Sequence, residues 1–205
     1  MATIYDLKPA FQALLRPVCR LLASRGITAN QVTIAAVLLS MAAGGLVLLL
    51  PTAHWPLVLF PLVLFLRMAL NAIDGMLARE HGMKTRLGAV LNELGDVVAD
   101  AALYLPLAVI PGVSGWLVVG VVLMAIIVEM TGVVAMQIGA TRRYDGPIGK
   151  SDRAFWFGFL AFLMGSGIRP GLWADILLTL LLGLSAVTVV NRARKGLAET
   201  GGSVP

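Results

Sequence analysis

Charged residues are scarce in this sequence. They make up 13% of its 205 residues, whereas apolar residues make up 59% and the mean hydropathy is +0.89. A soluble globular domain usually carries about 25% charged residues. The shortage of charge excludes an ordinary soluble domain and indicates a protein that lies within a membrane.

The sequence also has little cysteine and no basic patch that would indicate nucleic-acid binding. Cys19 is the single cysteine, which excludes a disulfide within the chain and gives no sign of an oxidising compartment. The net charge is +5, but the basic residues lie between apolar runs rather than on one patch. That placement is explained by membrane orientation, so no nucleic-acid partner is expected.

What the sequence has in abundance is long apolar runs, which predict an all-α integral membrane protein. Six transmembrane helices are expected at about 31–50, 55–78, 87–110, 115–139, 153–167 and 172–190. Residues 3–23 have apolar and basic positions at helical spacing and predict an amphipathic helix at the membrane surface. One membrane domain is expected over residues 1–205, with the bundle at 31–195 and a disordered tail at 196–205.

The loops give the orientation. Basic residues occur in the N-terminal segment, the second and fourth loops and the tail, and the first and third loops have none. Because basic residues mark the cytoplasmic side, both termini are predicted to lie in the cytoplasm.

Polar residues inside two predicted spans form a cluster. The second span carries Asn71 and Asp74, and the third carries Asn92, Asp96 and Asp100 at four-residue steps on one helix face. An ionisable residue within a span costs roughly 2.5–3.5 kcal/mol, so such residues are functional candidates. Carboxylate and amide oxygens from two facing helices predict a hard-cation site near the cytoplasmic end. The alternative is a structural polar network between the helices.

These residues also belong to a longer pattern. It runs Asn71-x-x-Asp74-Gly75-x-x-Ala78-Arg79, then eight residues, then Gly88-x-x-x-Asn92-x-x-x-Asp96. The pattern resembles the CDP-alcohol phosphotransferase signature D-x-x-D-G-x-x-A-R-x8-G-x3-D-x3-D, with every spacing kept. The segment from Gly26 to Thr33 is similar to the one that precedes the first span in this family. Asn71 and Asn92 replace two signature aspartates, as in a divergent bacterial branch.

The resemblance implies an activity and a cofactor. Family members transfer a substituted phosphate from a CDP-linked donor, often CDP-diacylglycerol, to an alcohol in phospholipid biosynthesis, and CMP leaves. The signature aspartates hold two divalent ions, Mg²⁺ or Mn²⁺. By resemblance Asn71, Asp74, Asn92 and Asp96 are the metal positions and Asp96 is the catalytic base. Asp100 is a further metal candidate that would restore part of the lost charge.

The resemblance also implies the partners and their sites. The residues expected at the CDP-linked donor are Asn30, Thr33, Gly75, Ala78, Arg79 and Gly88. Lys150 and Arg153, in and after the fourth loop, are expected at the alcohol acceptor and would suit a phosphorylated one. The alternative for this loop is contact with lipid headgroups. A homodimer in the bacterial cytoplasmic membrane, with its active site facing the cytoplasm, is expected from the family.

Two other functions compete with a transferase. Asn for Asp at two signature positions motivates a catalytically degenerate member that binds CDP-lipid or a partner protein without turnover. A small cation transporter would use the acidic cluster as an ion path, but it gives Gly75 and Arg79 no role.

Overall fold

The computed structural model describes residues 4–201, with side chains from residue 9 onward, and the elements in this range are helical. The α-helices are α1 (Ile4–Ser24), α2 (Ala29–Leu49), α3 (His54–Glu80), α4 (Arg86–Tyr104), α5 (Gly115–Val134), α6 (Lys150–Gly165) and α7 (Leu172–Glu199). Short 3-10 helices at Leu105–Val109 and Ala135–Ile138 follow α4 and α5. The chain divides into two compact units: Met1–Ala43 with Leu62–Ala99, and Gly44–Pro61 with Asp100–Pro205. Each unit is described by itself.

The first unit holds α1, most of α2, the second half of α3 and most of α4. Its core is a cluster of small and medium apolar side chains: Cys19, Ala29, Val32, Ile73, Met76 and Leu77. Burial of the Cys19 thiol raises its pKa, so this cysteine packs as an apolar residue.

The turn from α1 to α2 is specified by local sequence. Gly26 has a φ of +75°, the Ile27 N–H donates to the Leu22 carbonyl at 3.0 Å and the Gly26 N–H to Ala23 at 3.0 Å. These bonds end α1 in a Schellman motif. Thr28 and Gln31 then form a capping box at the start of α2, with exchanged bonds of 2.9 and 3.3 Å.

The second unit holds the first turns of α3, the end of α4, and α5 to α7. Helices α5 and α7 pack against each other, and Tyr104 stacks on Phe157 with ring centroids 4.1 Å apart. The buried residues of α7 include a polar stripe at helical spacing, Ser185, Thr188 and Arg192. The second unit therefore buries charge as well as apolar side chains.

The membrane spans agree with the sequence in part. Within residues 4–201, four helices are long and apolar enough to cross a membrane: Ala29–Leu49, His54–Glu80, Gly115–Ile138 and Leu172–Glu199. Among the remaining expected spans, α4 carries Glu93, Asp96 and Asp100, and α6 has 16 residues. A 16-residue helix is shorter than the roughly 20 residues that span a bilayer. The full set of six spans thus stays a prediction.

The N-terminal helix agrees with the sequence prediction, and the C-terminal helix extends beyond it. Helix α1 covers Ile4–Ser24, close to the predicted amphipathic segment at 3–23. Helix α7 continues to Glu199, so residues 196–199 are helical and the predicted disordered tail was placed too early. The helix continues because Glu199 is held by Thr141 and Arg143. Residues 202–205 of that tail lie outside the described residues.

Two adjacent glycines on α2 provide a test of the packing in the second unit. A Cβ on Gly44 would lie 1.8 Å from the Ala102 carbonyl oxygen, whereas a Cβ on Gly45 would meet no atom within 4 Å. We expect Gly44→Ala to destabilise the protein by about 1–3 kcal/mol or more, because backbone must move. Gly45→Ala should leave stability unchanged or slightly raised. Thermal unfolding of both variants in detergent measures this, and equal melting temperatures would contradict the close contact.

Candidate functional site

Helices α3 and α4 bring two of the predicted metal positions together within the first unit. Asn71 on α3 donates from Nδ2 to Oδ1 of Asp96 on α4 at 3.0 Å. The Asp96 side chain is 27% exposed, which leaves it open to a reactant while a neighbour fixes its position. The prediction that these helices face each other through their polar residues is confirmed by this contact.

Asp74 is held from α2. Its side chain is buried, and Thr33 Oγ1 lies 2.7 Å from Asp74 Oδ2 and 3.1 Å from the Ala29 carbonyl oxygen. The hydroxyl is fixed because it is one turn inside α2, whose start the capping box defines. Thr33 therefore orients a buried carboxylate, which makes it a neighbour of the candidate metal site as well as a predicted donor contact.

Arg67 brings a positive charge to Asp96. It lies on α3 one turn before Asn71 and is 3% exposed. Its Nη2 donates to the Asp96 carbonyl oxygen at 3.1 Å and lies 3.9 Å from Asp96 Oδ1. The sequence alone does not identify this partner, because the two residues are on different helices.

Glycines make room for two predicted donor contacts. A Cβ on Gly75 would lie 3.1 Å from Arg79 Nη1, so the exposed Arg79 side chain folds back over this glycine. A Cβ on Gly88 would lie 2.7 Å from Asn30 Oδ1. At the start of α4, Thr85 Oγ1 accepts the Gly88 N–H at 2.8 Å and lies 3.4 Å from Asn30 Nδ2. Asn30 is thus held at a helix N-terminus, a position suited to an anionic group.

The other predicted site residues of the first unit are Asn92 and Ala78. Asn92 is exposed on α4, one turn before Asp96, and Ala78 is half-buried against the core of the first unit. An apolar groove of about 240 Å³ begins beside Thr33. It is lined by Thr33, Ile34, Val37, Leu38, Leu91, Leu94, Gly95 and Val98.

The oxygen ligands offered by these side chains suit a hard divalent cation bound with modest affinity. Asp74, Asp96, Asn71 and Asn92 offer carboxylate and amide oxygens, which Mg²⁺ and Mn²⁺ accept. Across residues 4–201, no three His, Cys, Asp or Glu side chains converge as a metal site. A cation here would therefore rely on amide oxygens and on substrate oxygens to complete its coordination.

The predicted acceptor residues lie in the second unit. Arg153 is fully buried on α6, with Nη2 2.9 Å from Glu129 Oε1 and 3.4 Å from Asp100 Oδ2. Glu129 also lies 3.5 Å from both Arg142 and Arg192. Asp100, predicted as a metal position, thus pairs with a guanidinium here. Lys150 is the half-buried first residue of α6.

The loop between α5 and α6 is tied to α7 by charges. Arg143 and Lys195 both bind Asp145, at 2.7 and 2.8 Å. The hydrogen bond from Lys195 lowers the pKa of Asp145, and Arg143 adds to this while burial opposes it. The Thr188 hydroxyl is hydrogen-bonded to both the N–H and the carbonyl of Ile148. These bonds hold the loop against α7, and contact with lipid headgroups stays the alternative role for it.

Sequence reasoning missed Arg192. From the sequence it is one of the basic residues of the tail that indicate orientation, yet it is 2% exposed and its Nη1 donates to the Val128 carbonyl at 2.7 Å. Its spacing from Ser185 and Thr188, at seven and four residues, was the available signal.

Comparisons with known proteins cover most of the chain. A family model for CDP-alcohol phosphatidyltransferases matches residues 26–190. The inner membrane protein YnbA of Escherichia coli strain K12 is 45% identical over 197 residues, which is 95% of this chain and 96% of YnbA. A phosphatidylinositol phosphate synthase of Corynebacterium glutamicum is 35% identical over 106 residues, 51% of this chain and 45% of that protein.

Solved structures agree on the fold. The phosphatidylinositol phosphate synthase PgsA1 of Mycobacterium tuberculosis with CDP-DAG bound matches with a TM-score of 0.76 at 23% identity, covering 90% of this chain and 94% of that one. The same enzyme in complex with manganese and citrate matches with a TM-score of 0.74 at 23% identity, covering 90% of both chains. At this identity the likeness shows a shared fold.

The contact between Thr33 and Asp74 predicts a stability effect. Thr33→Val keeps the shape but removes the hydroxyl, leaving a buried carboxylate without one partner, so we expect a loss of about 1–3 kcal/mol. Thr33→Ser keeps the hydroxyl and is the matched control, with a smaller loss. Thermal unfolding in detergent compares them. If the valine variant is as stable as the serine variant, the hydrogen bond contributes nothing.

Proposed function

Because the chain belongs to the CDP-alcohol phosphatidyltransferase family, we propose that it transfers a phosphatidyl-like group from a CDP-linked donor to an alcohol and releases CMP. The observation that carries this proposal is the meeting of α3 and α4 at Asn71 and Asp96, with Asp74 held by Thr33. Family membership also favours a transferase over the cation transporter.

Asp96 is the proposed base. Its Oδ1 accepts from Asn71 Nδ2 at 3.0 Å and lies 3.9 Å from Arg67 Nη2, so the carboxylate is held in a fixed position. The carboxylate takes the proton of the acceptor hydroxyl, whose oxygen attacks the phosphorus attached to the lipid. The bond from that phosphorus to the CMP oxygen breaks, and CMP leaves with the electron pair.

The metal positions are proposed at Asn71, Asp74, Asn92 and Asp96, with Asp100 as a further candidate and two ions as in the family. Bound Mg²⁺ or Mn²⁺ would neutralise the donor pyrophosphate and the charge on the leaving CMP. The carboxylates at the four signature positions carry −2, because two of the four are asparagine. The chain's own residues thus offer a weaker attraction for cations than four aspartates would.

The donor is proposed to lie along the first unit. Asn30, which is on α2 beside the start of α4, and Arg79, over Gly75, would bind its phosphates, and Gly75, Ala78 and Gly88 would allow the cytidine close to the backbone. The apolar groove that begins at Thr33 fits an acyl chain, which supports a lipid-linked donor such as CDP-diacylglycerol. Lys150 and Arg153 are proposed at the acceptor.

The proposed location in the cell is based on the long apolar helices and on the relative in the Escherichia coli inner membrane. We place the chain in a bacterial cytoplasmic membrane with six spans, counting α4 and α6 with the four long apolar helices. The basic loops put both termini and the active site on the cytoplasmic side. A homodimer is proposed from the family.

A second candidate is a binding protein without turnover. Asn71 and Asn92 favour it, because each removes a negative charge from the metal positions. It would bind CDP-lipid through the same groove and phosphate contacts. The first experiment below separates it from the transferase.

The transferase is tested by CMP release. Purified protein with CDP-diacylglycerol, Mg²⁺ or Mn²⁺ and a panel of alcohols should release CMP with one acceptor, and chelation with EDTA should stop release. Asp96→Asn should lower the rate by about 10²–10⁴-fold, because the base is lost. Donor binding should persist in that variant. Donor binding without CMP release in the unaltered protein, whatever the acceptor, would favour the second candidate.

The asparagines predict weak cation binding. Asn71→Asp together with Asn92→Asp restores the two signature charges, so we expect Mn²⁺ to bind about tenfold or more tightly. Titration calorimetry with Mn²⁺ measures this without an activity assay. Asn71→Ser with Asn92→Ser is the neutral control and should bind no more tightly than the unaltered protein. Unchanged affinity in the aspartate variant would place the cation elsewhere.

A further inference from the structure

A single buried carboxylate lies at the centre of three arginines in the second unit. Glu129 on α5 accepts from Arg153 Nη2 at 2.9 Å through Oε1, and from Arg142 and Arg192 at 3.5 Å each through Oε2. The arginines come from three different places: the loop after α5, the first turn of α6, and α7. Because these arginines lie on different segments of the chain, only folding brings their guanidiniums together, and the cluster is a specific product of the fold.

The arginines depend on this carboxylate. Arg153 and Arg192 are 0% and 2% exposed, and a buried cation without a counter-ion is strongly unfavourable. Arg192 is further fixed by the carbonyls of Val128 and Asp145 at 2.7 and 3.3 Å. Loss of Glu129 would therefore remove a counter-ion that the buried Arg153 and Arg192 share.

The geometry matches that of a bound oxyanion. Three guanidiniums directed at two oxygens of one group is the way arginines hold phosphate. The loop also closes over the cluster, since a Cβ on Gly132 would lie 2.6 Å from the Arg143 carbonyl oxygen and 3.0 Å from Arg192 Nη1. The Glu129 carboxylate therefore occupies the position that a phosphate group would need.

The charges lead to the same result. Glu129 pairs with all three arginines, and Asp100 pairs with Arg153 as well. A phosphate dianion entering this cluster would meet the Glu129 carboxylate, and like charges at close range in a buried site repel strongly. Phosphate would have to displace a counter-ion that three guanidiniums hold.

We propose that Glu129 closes this arginine cluster to phosphate, so that the acceptor is an uncharged polyol rather than a phosphorylated one. The proposal rests on the proposed function, in which Arg153 belongs to the acceptor region. It gives the cluster a selective role: an uncharged acceptor does not compete with Glu129 for the guanidiniums, and phosphate groups are rejected.

Phosphate binding tests the cluster directly. In Glu129→Gln the central negative charge is gone, and inorganic phosphate should raise the melting temperature of this variant while leaving that of the unaltered protein unchanged. We expect phosphate to bind the variant about tenfold or more tightly. Glu129→Asp keeps the charge and is the matched control, and chloride at equal ionic strength controls for screening. Stabilisation of the unaltered protein by phosphate would overturn the proposal, as would no stabilisation of Glu129→Gln.

A second measurement needs no variant and so stands even if Glu129→Gln fails to fold. CMP release by the unaltered protein is compared for acceptor pairs that differ by one phosphate: glycerol with glycerol phosphate, and inositol with inositol phosphate. The uncharged member should be preferred, and preference for the phosphorylated member would overturn the proposal. If no acceptor supports release, the proposed function fails, and phosphate binding to the folded variants still decides whether Glu129 closes the cluster.

Discussion

Pairing of buried charge is the constraint on which the structure of this chain depends. An arginine in a nearly dry environment must have a carboxylate or carbonyl partner, and a buried carboxylate must have a donor. In the first unit Arg67 and Asn71 meet Asp96 and Thr33 meets Asp74. In the second unit Glu129 and Asp100 meet Arg153. Each pairing fixes the helices that carry its members, because a shift of either helix would leave a charge unpaired.

Glycines and helix caps determine the positions of these polar and charged side chains. The Schellman turn at Gly26 and the capping box of Thr28 and Gln31 define the start of α2, and hence the height of Thr33 beside Asp74. Thr85 and Gly88 do the same for α4, with Asn30 against the glycine. Small residues at these points serve the polar groups, since a side chain at Gly88 would push Asn30 away from the helix start.

Much of the first unit could be predicted from the sequence, because its information is local. Spacing on one helix face predicted that polar residues of α3 and α4 would meet, as Asn71 and Asp96 do, and a capping box is a short-range signal. The partners of Arg67 and Glu129 could not be predicted, because pairing between residues far apart in the chain depends on packing. Arg192 was missed for a related reason: a basic residue near a span end usually orients the helix, and burial decides otherwise here. The end of α7 was placed too early because Glu199 is held by residues far away in sequence.

The exchange of aspartate for asparagine changes how the site is held together. The amide nitrogen of asparagine can donate to a carboxylate, whereas an ionised aspartate side chain has no donor, so Asn71 bonds Asp96 directly at 3.0 Å. Aspartate at position 71 would repel Asp96 and would need a cation between them. With asparagine there, and with Arg67 beside it, Asp96 is oriented by the chain itself before any metal binds. The substitution therefore exchanges a negative charge, which would attract cations, for an Asp96 carboxylate that Asn71 holds in position.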